Sequence, residues 1–284
     1  MRWKLLPLLA LLTGCVAPPH KVMVAPPAVP PIEVQILAIN DFHGNIVTPP
    51  PVEVTGADGT KRMLTSGGVA RLAAALAGRR TSASITVSAG DLIGASPLVS
   101  AAFLDEPTVA AMNLVGLDLN AVGNHEFDKG PRELWRMQAG GCGKFTALRP
   151  CRIEPFAGAK FRFLAANVRT ADGVTLFAPT AIRQFGPLKI GFIGMTLKGT
   201  GKLVSPASSA GLTFDDEAAT ANALVPPLKA QGADTIVLLI HQGGRTPAFS
   251  EGQGCDGLSG DILPILDKLD PAIATVVSGH THYA

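Results

Sequence analysis

The chain has 284 residues, 47% of them hydrophobic, which is enough to bury the core of one large domain or two small ones. Lys and Arg number 24 against 22 Asp and Glu, so the net charge is +2, with no basic tail or block. This balance gives no electrostatic reason to expect binding to duplex nucleic acid.

The first fifteen residues have the features of a bacterial export signal. Arg2 and Lys4 precede an apolar run over residues 5–12, which is too short to span a bilayer. The segment ends in LTGC, which resembles the lipobox of bacterial lipoproteins, in which the cysteine is lipidated and becomes the mature N-terminus. We predict a lipoprotein signal peptide over residues 1–15 and a periplasmic or cell-surface protein, lipid-anchored to a bacterial membrane through Cys15. The alternative is an ordinary cleaved signal peptide.

A proline-rich segment follows the signal. Residues 16–31 contain six prolines and no periodic apolar face, which predicts a semi-rigid tether. We therefore place the folded domain at residues 32–284.

Beyond the tether, short β-branched runs alternate with helical patterns, which predicts an α/β fold. The predicted strands are 34–40, 84–90, 118–123, 161–168, 188–195, 235–242 and 273–280. The predicted helices are 67–80, 106–116, 215–232 and 260–270. Pro226 and Pro227 are expected to bend or end the third helix. Residues 48–62 are rich in Pro, Gly and Asp, which indicates an exposed loop or an irregular hairpin.

The cysteines add a covalent constraint. Cys142 and Cys151 flank a short loop in a chain predicted to be exported, so we expect a local disulfide between them. Cys255 remains, either as a free thiol or with a partner outside this sequence.

Five of the six histidines lie at or just after the end of a predicted strand. They are His43 in NDFHG, His125 in GNHEFD, His241 in HQGG, and His280 and His282 in SGHTH. Asp91 follows a further strand. Because the carboxyl ends of strands line the ligand crevice in α/β folds, these side chains are expected to converge. A single histidine is more often a hydrogen-bonded core or surface residue than a ligand, but this shared placement favours a metal site.

The spacing and the chemistry of these residues support two ions. Residues i and i+2 project to the same side of an extended chain. Asp41 and His43 have that spacing, and so do His280 and His282. Oxygen and imidazole ligands without thiolate favour Zn, Mn, Fe, Co or Mg. The seven candidates suit two divalent metal ions that share a carboxylate: Asp41, His43, Asp91, Asn124, His241, His280 and His282. Read locally, Asn124 could instead be a helix N-cap, with Glu126 in the first turn.

The motifs DFHG, GD at 90–91, GNHEFD, HQGG and SGHTH occur in the order found in calcineurin-like metallophosphoesterases. GNHEFD resembles in particular the bacterial 5'-nucleotidase and UDP-sugar hydrolase family, and the resemblance covers the chain from about Glu33 to Ala284. It implies a four-layer α-β-β-α sandwich and an exported, metal-dependent phosphoesterase. The implied substrates are nucleotides, hydrolysed in the manner of a 5'-nucleotidase, a UDP-sugar hydrolase or a cyclic-nucleotide hydrolase.

The resemblance also implies a role for each residue. One metal ion would be held by Asp41, His43, Asp91 and His282, and the other by Asp91, Asn124, His241 and His280, with Asp91 bridging. His125 would face the substrate and stabilise the transition state or protonate the leaving group, oriented by Asp128. We assign Glu126 to the surface. We interpret Arg245 as a solvated loop residue, with phosphate contact as the alternative.

Members of that family typically continue past the GHTH segment into a second domain that grips the nucleobase. The chain ends at Ala284, so we expect this substrate-specificity domain to be absent and the catalytic domain to be truncated. There are therefore two alternatives to the function of a nucleotide phosphoesterase. One is a catalytically weak metal-binding lipoprotein, and the other is a thiosulfate-ester hydrolase of the same superfamily.

Overall fold

A computed structural model describes residues 31–56, 58–246 and 256–282, whose regular elements lie in the unit Glu33–Ala284. The strands are β1 (Gln35–Ile39), β2 (Val52–Thr55), β3 (Lys61–Leu64), β4 (Ser84–Ser88), β5 (Leu119–Ala121), β6 (Arg162–Leu164), β7 (Val168–Arg169), β8 (Thr180–Phe185), β9 (Leu188–Thr196), β10 (Thr213–Phe214), β11 (Thr235–His241) and β12 (Ile273–Ser278). The α-helices are α1 (Val69–Ala77), α2 (Leu98–Ala101), α3 (Glu106–Val115), α4 (Pro131–Ala139), α5 (Thr200–Leu203), α6 (Glu217–Ala230) and α7 (Leu263–Leu266). A 3-10 turn spans His125–Phe127.

Two four-stranded sheets form the centre of the fold. The first has the order β1-β4-β5-β6 with all strands parallel. The second has the order β12-β11-β9-β8, in which β8 alone runs antiparallel. Two short antiparallel ribbons, β2-β3 and β7-β10, lie outside these sheets. The loop or irregular hairpin expected over 48–62 is thus the hairpin β2-β3.

The buried side chains divide into three clusters that separate four layers. Between the sheets, β4, β5 and β6 pack against β9 and β11, with Val87 and Leu119 on one side and Phe192 and Leu239 on the other. On the outer face of the first sheet, α1, α3 and α4 contribute a second cluster, and α6 and α7 cover the second sheet. Strand β11 is buried on both faces because its residues alternate between two of these clusters. The predicted α-β-β-α sandwich of the α/β class is confirmed.

Each predicted strand is present, although the segment 161–168 breaks into β6 and the start of β7. Several elements were not predicted from the sequence, namely strands β8 and β10, the short helices α2 and α5, and helix α4, which begins with Pro131 directly after Gly130. The helix expected over 260–270 contains only Leu263–Leu266 in α-helical form. Its tail tightens into i to i+3 hydrogen bonds from Lys268 to Ile265 and from Leu269 to Leu266.

The third helix does not end at Pro226 or Pro227, which was one of the two effects expected of these prolines. Helix α6 continues through both prolines to Ala230. The two prolines lie on the exposed face, whereas Val225 and Leu228 are buried beneath the helix. Packing of this apolar face therefore outweighs the two helix hydrogen bonds that proline cannot form.

A buried ionic cluster supports the loop after α4. Arg136 is 2% exposed and pairs with Glu133 at 2.6 Å and Glu106 at 2.7 Å. The backbone N–H of Cys151 donates to Glu106, and Cys151 forms the predicted disulfide with Cys142. This loop is therefore fixed by a covalent bond and by a buried carboxylate.

The lipobox, residues 16–30 of the tether and Cys255 lie outside the described residues. Within the described part of the chain, no helix has the length and apolar character needed to cross a membrane.

Candidate active site

The predicted site residues follow the ends of five strands. Asp41 and His43 follow β1, Asp91 follows β4, and Asn124 and His125 follow β5, which are neighbours in the first sheet. From the second sheet, His241 ends β11, and His280 and His282 follow β12. The two sheets therefore deliver these residues to one edge of the sandwich, as the sequence predicted.

The backbone at these positions is turned rather than extended. Five of the nine non-glycine residues with positive φ in the described part of the chain belong to the candidate ligands: Asp41, His43, Asp91, His280 and His282. Asp41, His43, His280 and His282 therefore do not lie on the extended backbone that the i and i+2 spacing assumed. Since left-handed backbone is disfavoured for such residues, the surrounding structure must hold them in place, as is common at functional sites.

Two groups of potential ligands form at this edge. In the first, Asp41, His43 and His282 have ligand atoms within 4.8 Å of one another. Nε2 of His282 lies 3.2 Å from Nε2 of His43 and 3.3 Å from Oδ1 of Asp41. Nε2 of His43 is also 3.5 Å from Oδ2 of Asp91.

The second group contains Asp91, His241 and His280, again within 4.8 Å. Nε2 of His241 lies 3.0 Å from Oδ2 of Asp91 and 3.1 Å from Oδ1 of Asn124. The same oxygen of Asp91 therefore lies near one histidine of each group. His280 and His282, which the spacing argument placed in one cavity, divide between the two groups.

Backbone carbonyls determine which ring nitrogens face the site. Nδ1 of His43 lies 2.8 Å from the carbonyl oxygen of Gly94, and Nδ1 of His241 lies 2.9 Å from that of Ala89. In the neutral rings Nδ1 must donate, so each Nε2 presents a lone pair. Lone pairs of His241, Asp91 and Asn124 then point at one another with no proton between them. Such a set of acceptors fits a bound cation.

The electrostatics of the site favour positive charge. Burial alone would raise the pKa of the Asp91 carboxyl, but its hydrogen bond and charge interaction with His241 bring the pKa below its usual value. Burial likewise lowers the pKa of His241, but the bond to Asp91 outweighs it, so the net shift is upward. For His280, burial and the neighbouring His241 lower the pKa. The lowered pKa of Asp91 and the raised pKa of His241 both reflect attraction between the carboxylate and positive charge beside it.

Asn124 is not a helix cap in this structure. It precedes the 3-10 turn, but its side chain makes no capping hydrogen bond, and its amide oxygen instead faces His241. The alternative interpretation of Asn124 as a helix N-cap is therefore not supported.

His125 lies beside the two ligand groups and is paired with Asp128. Its Nδ1 is 3.0 Å from Oδ2 of Asp128, and that oxygen also accepts the backbone N–H of Ala95. The hydrogen bond with Asp128 is the main reason that the pKa of His125 is raised. The side chains of His125 and Asp128 are 36% and 31% exposed, so the imidazole is accessible to a substrate.

The assignment of Glu126 to the surface is wrong. Glu126 is 3% exposed, and its carboxylate accepts backbone N–H bonds from Asp91, Leu92 and Gly123. Burial and the nearby Asp91 carboxylate raise its pKa to about 7, while the N–H groups of Leu92 and Gly123 favour the ionised form. The sequence alone did not indicate this, because the N–H groups of Asp91 and Leu92 come from the end of the neighbouring strand β4.

A cavity of about 460 Å³ adjoins the second group at His280. Lys202 and Arg245 line it together with the glycines after His241. Arg245 is exposed, and its backbone pairs with Ser259. The cavity therefore offers two cationic side chains next to the candidate metal ligands.

The fold and this site define the class of protein: an α/β sandwich with clustered His and Asp ligands at the strand ends. The calcineurin-like phosphoesterase family matches residues 34–284, so the chain belongs to that family.

Similar proteins are found among curated sequences and solved structures. The Listeria monocytogenes cell wall protein Lmo0130 is 32% identical over 97% of this chain and 36% of its own length. The 5'-nucleotidase of Mus musculus is 29% identical over 76% of this chain and 35% of its own length. The structure of Haemophilus influenzae NAD nucleotidase (NadN) aligns with a TM-score of 0.68 at 25% identity, covering 89% of this chain and 39% of that one. The chain thus spans about a third of the length of these two curated relatives.

Proposed function

We propose that this protein is an exported, lipid-anchored phosphoesterase that hydrolyses nucleotides with two divalent metal ions. The observation that carries the proposal is the convergence of acceptor atoms from five strand ends beside the His125 and Asp128 pair. The names of two relatives, 5'-nucleotidase and NAD nucleotidase, support the substrate class.

The donor set would hold two ions. Asp41, His43 and His282 would bind one of them, and Asn124, His241 and His280 the other, with Asp91 shared. When bound, two such cations activate water at neutral pH and neutralise charge on the phosphoryl oxygens. The oxygen and nitrogen donors suit Zn, Mn, Fe, Co or Mg.

The residues of the chain contribute proton transfer and orientation. With Nδ1 of His125 donating to Asp128, Nε2 is left to face the substrate. The raised pKa of His125 favours the imidazolium, which can donate a proton from Nε2 to the leaving-group oxygen or hydrogen-bond a phosphoryl oxygen. Asp128 keeps the ring in this orientation, and the N–H of Ala95 keeps Asp128 in place.

The substrate class is tested with a panel under one set of conditions. The purified chain, loaded with Zn or Mn, is assayed on AMP, UDP-glucose, 2',3'-cyclic AMP, a thiosulfate ester and duplex DNA. We expect hydrolysis of the nucleotides and none of the duplex. Preference for the thiosulfate ester would favour the sulfur-ester alternative, and absence of turnover with metal bound would favour a metal-binding lipoprotein.

The location is tested separately. The LTGC sequence supports lipidation of Cys15, and one relative is named as a cell wall protein. Mass spectrometry of the mature N-terminus should show an acylated cysteine. A mature chain that begins at another residue without a lipid would contradict the anchor.

A further inference from the structure

We propose that Glu126 is a positioning residue that joins the loop carrying Asp91 to the loop carrying Asn124 and His125, and so sets the metal site before any ion binds. The inference rests on the proposed function, in which Asp91 is the shared ligand and His125 faces the substrate. Glu126 itself belongs to neither ligand group.

The carboxylate of Glu126 faces four hydrogen-bond donors. Oε2 accepts the backbone N–H of Asp91 at 3.0 Å and that of Gly123 at 2.7 Å. Oε1 accepts the backbone N–H of Leu92 at 2.9 Å and the side-chain amide of Asn120 at 3.3 Å. Two of these donors follow β4 and two belong to β5 or its following loop, so one side chain connects neighbouring strand ends.

A second bond runs in the opposite direction. The backbone N–H of His125 donates to Oδ1 of Asp91 at 2.9 Å, while the backbone N–H of Asp91 donates to Glu126. Each loop thus holds the other through a carboxylate. The other oxygen of Asp91, Oδ2, remains directed at His241 and His43.

The connection extends to the first ligand group. The carbonyl oxygens of Gly90 and Asp91 accept the backbone N–H groups of Asp41 and His43 at 3.0 and 2.9 Å. A shift of the Asp91 peptide would therefore move ligands of both groups. Glu126 fixes this segment, because its carboxylate accepts the backbone N–H groups of Asp91 and Leu92.

The loops also approach too closely to tolerate a larger residue at their contact. A Cβ atom on Gly123 would lie 2.2 Å from Oδ1 of Asp91 and 2.5 Å from its backbone nitrogen.

The donors around Glu126 suit a carboxylate, which only accepts hydrogen bonds. The amide introduced by Glu126→Gln would place its NH2 group against the donors of one carboxylate oxygen and leave those donors without an acceptor.

The decisive experiment compares two buried glutamates in the metal-free full chain. Glu126→Gln should increase amide hydrogen exchange by about tenfold or more either at Asp91 and Gly123, which share Oε2, or at Leu92, which donates to Oε1, because the NH2 group replaces one of these two acceptor oxygens. The control is Glu133→Gln. Glu133 is also buried, at 1% exposed, but it pairs with Arg136 on α4. The control should leave exchange at the three amides unchanged.

Divalent-metal affinity is the second measurement. Loss of a residue that supports metal ligands typically lowers affinity by about 10- to 100-fold, and we expect such a loss for Glu126→Gln with Zn or Mn but not for Glu133→Gln. Should Glu126→Gln fail to fold, Glu126→Asp is used, since its shorter carboxylate keeps the charge but cannot reach all the donors.

Unchanged amide exchange and unchanged metal affinity in the Glu126 variant would overturn the inference, as would equal losses in the Glu133 control. The exchange measurement needs neither metal nor turnover. If the wild-type chain binds no divalent ion and cleaves no phosphate ester, the proposed function fails, whereas faster exchange at the amides that lose their acceptor in Glu126→Gln still identifies the connection made by Glu126.

Discussion

Nδ1 of His125 and Oδ2 of Asp128 lie 3.0 Å apart, and the backbone N–H of Ala95 donates to the same carboxylate oxygen. The backbone N–H of His125 meanwhile donates to Asp91. One residue therefore contributes its main chain to the shared ligand and its side chain to the open side of the site. These two roles can be separated by mutation.

His125→Ala removes the imidazole but keeps the backbone bond to Asp91. We expect turnover to fall by about 10² to 10⁴, the usual effect of losing a positioned acid-base group, while both metal ions stay bound. Steady-state kinetics and elemental analysis of the same preparation provide the measurement. Loss of a metal ion from this variant would place His125 among the ligands instead.

Asp128→Ala should reduce turnover less than His125→Ala, because the imidazole remains and loses only its orienting partner. The variant should also bring the pKa of His125 down toward its ordinary value, since the hydrogen bond to Asp128 is the main cause of the upward shift. NMR titration of the His125 ring checks the direction. An unchanged His125 titration with full activity would show that Asp128 has no orienting role.

Replacement of Arg136 is expected to change the free energy of unfolding without affecting the metal site. Replacing it by Met leaves the carboxylates of Glu106 and Glu133 buried without their partner, which typically costs about 3–5 kcal/mol of unfolding free energy. The control is Lys61→Met, which breaks a pair with Glu53 in which both side chains are exposed and which is worth less than about 1 kcal/mol.

Urea unfolding of the two variants measures the difference. Metal content should be unchanged in both, because neither residue lies among the candidate ligands. A small effect of Arg136→Met, comparable to that of Lys61→Met, would mean that the buried cluster is solvated or that it rearranges.

The sequence was informative where function depends on residue type at strand ends. His241 and Asp91 could be placed together because each follows a β-branched run, and parallel strands end at a common edge. The sandwich layers followed from the resemblance, whereas the order of the strands in the two sheets is known only from the structure. The clustering of seven candidate ligands was thus predictable.

Other features depend on contacts between segments distant in the chain. Glu126 reads as an exposed residue in a helical turn, and only the approach of the loop after β4 makes it buried. Local preference alone did not show that α6 continues past its two prolines, because the packing of Leu228 is not visible in the sequence. The left-handed backbone at His280 and His282 is likewise imposed by the fold rather than by residue type.

The central claim is that the seven ligands hold two divalent ions through a shared Asp91. The most direct measurement is metal content per chain, determined by elemental analysis after metal-free protein has been reloaded with Zn or Mn, together with turnover on AMP. The wild-type chain should bind two ions and regain activity only when both are present. Asp91→Ala should retain fewer than two, since the cations lose the carboxylate that screens their repulsion, whereas Asp128→Ala should retain both. A wild-type chain that is fully active with a single ion, or an Asp91→Ala variant that keeps two, would contradict the account.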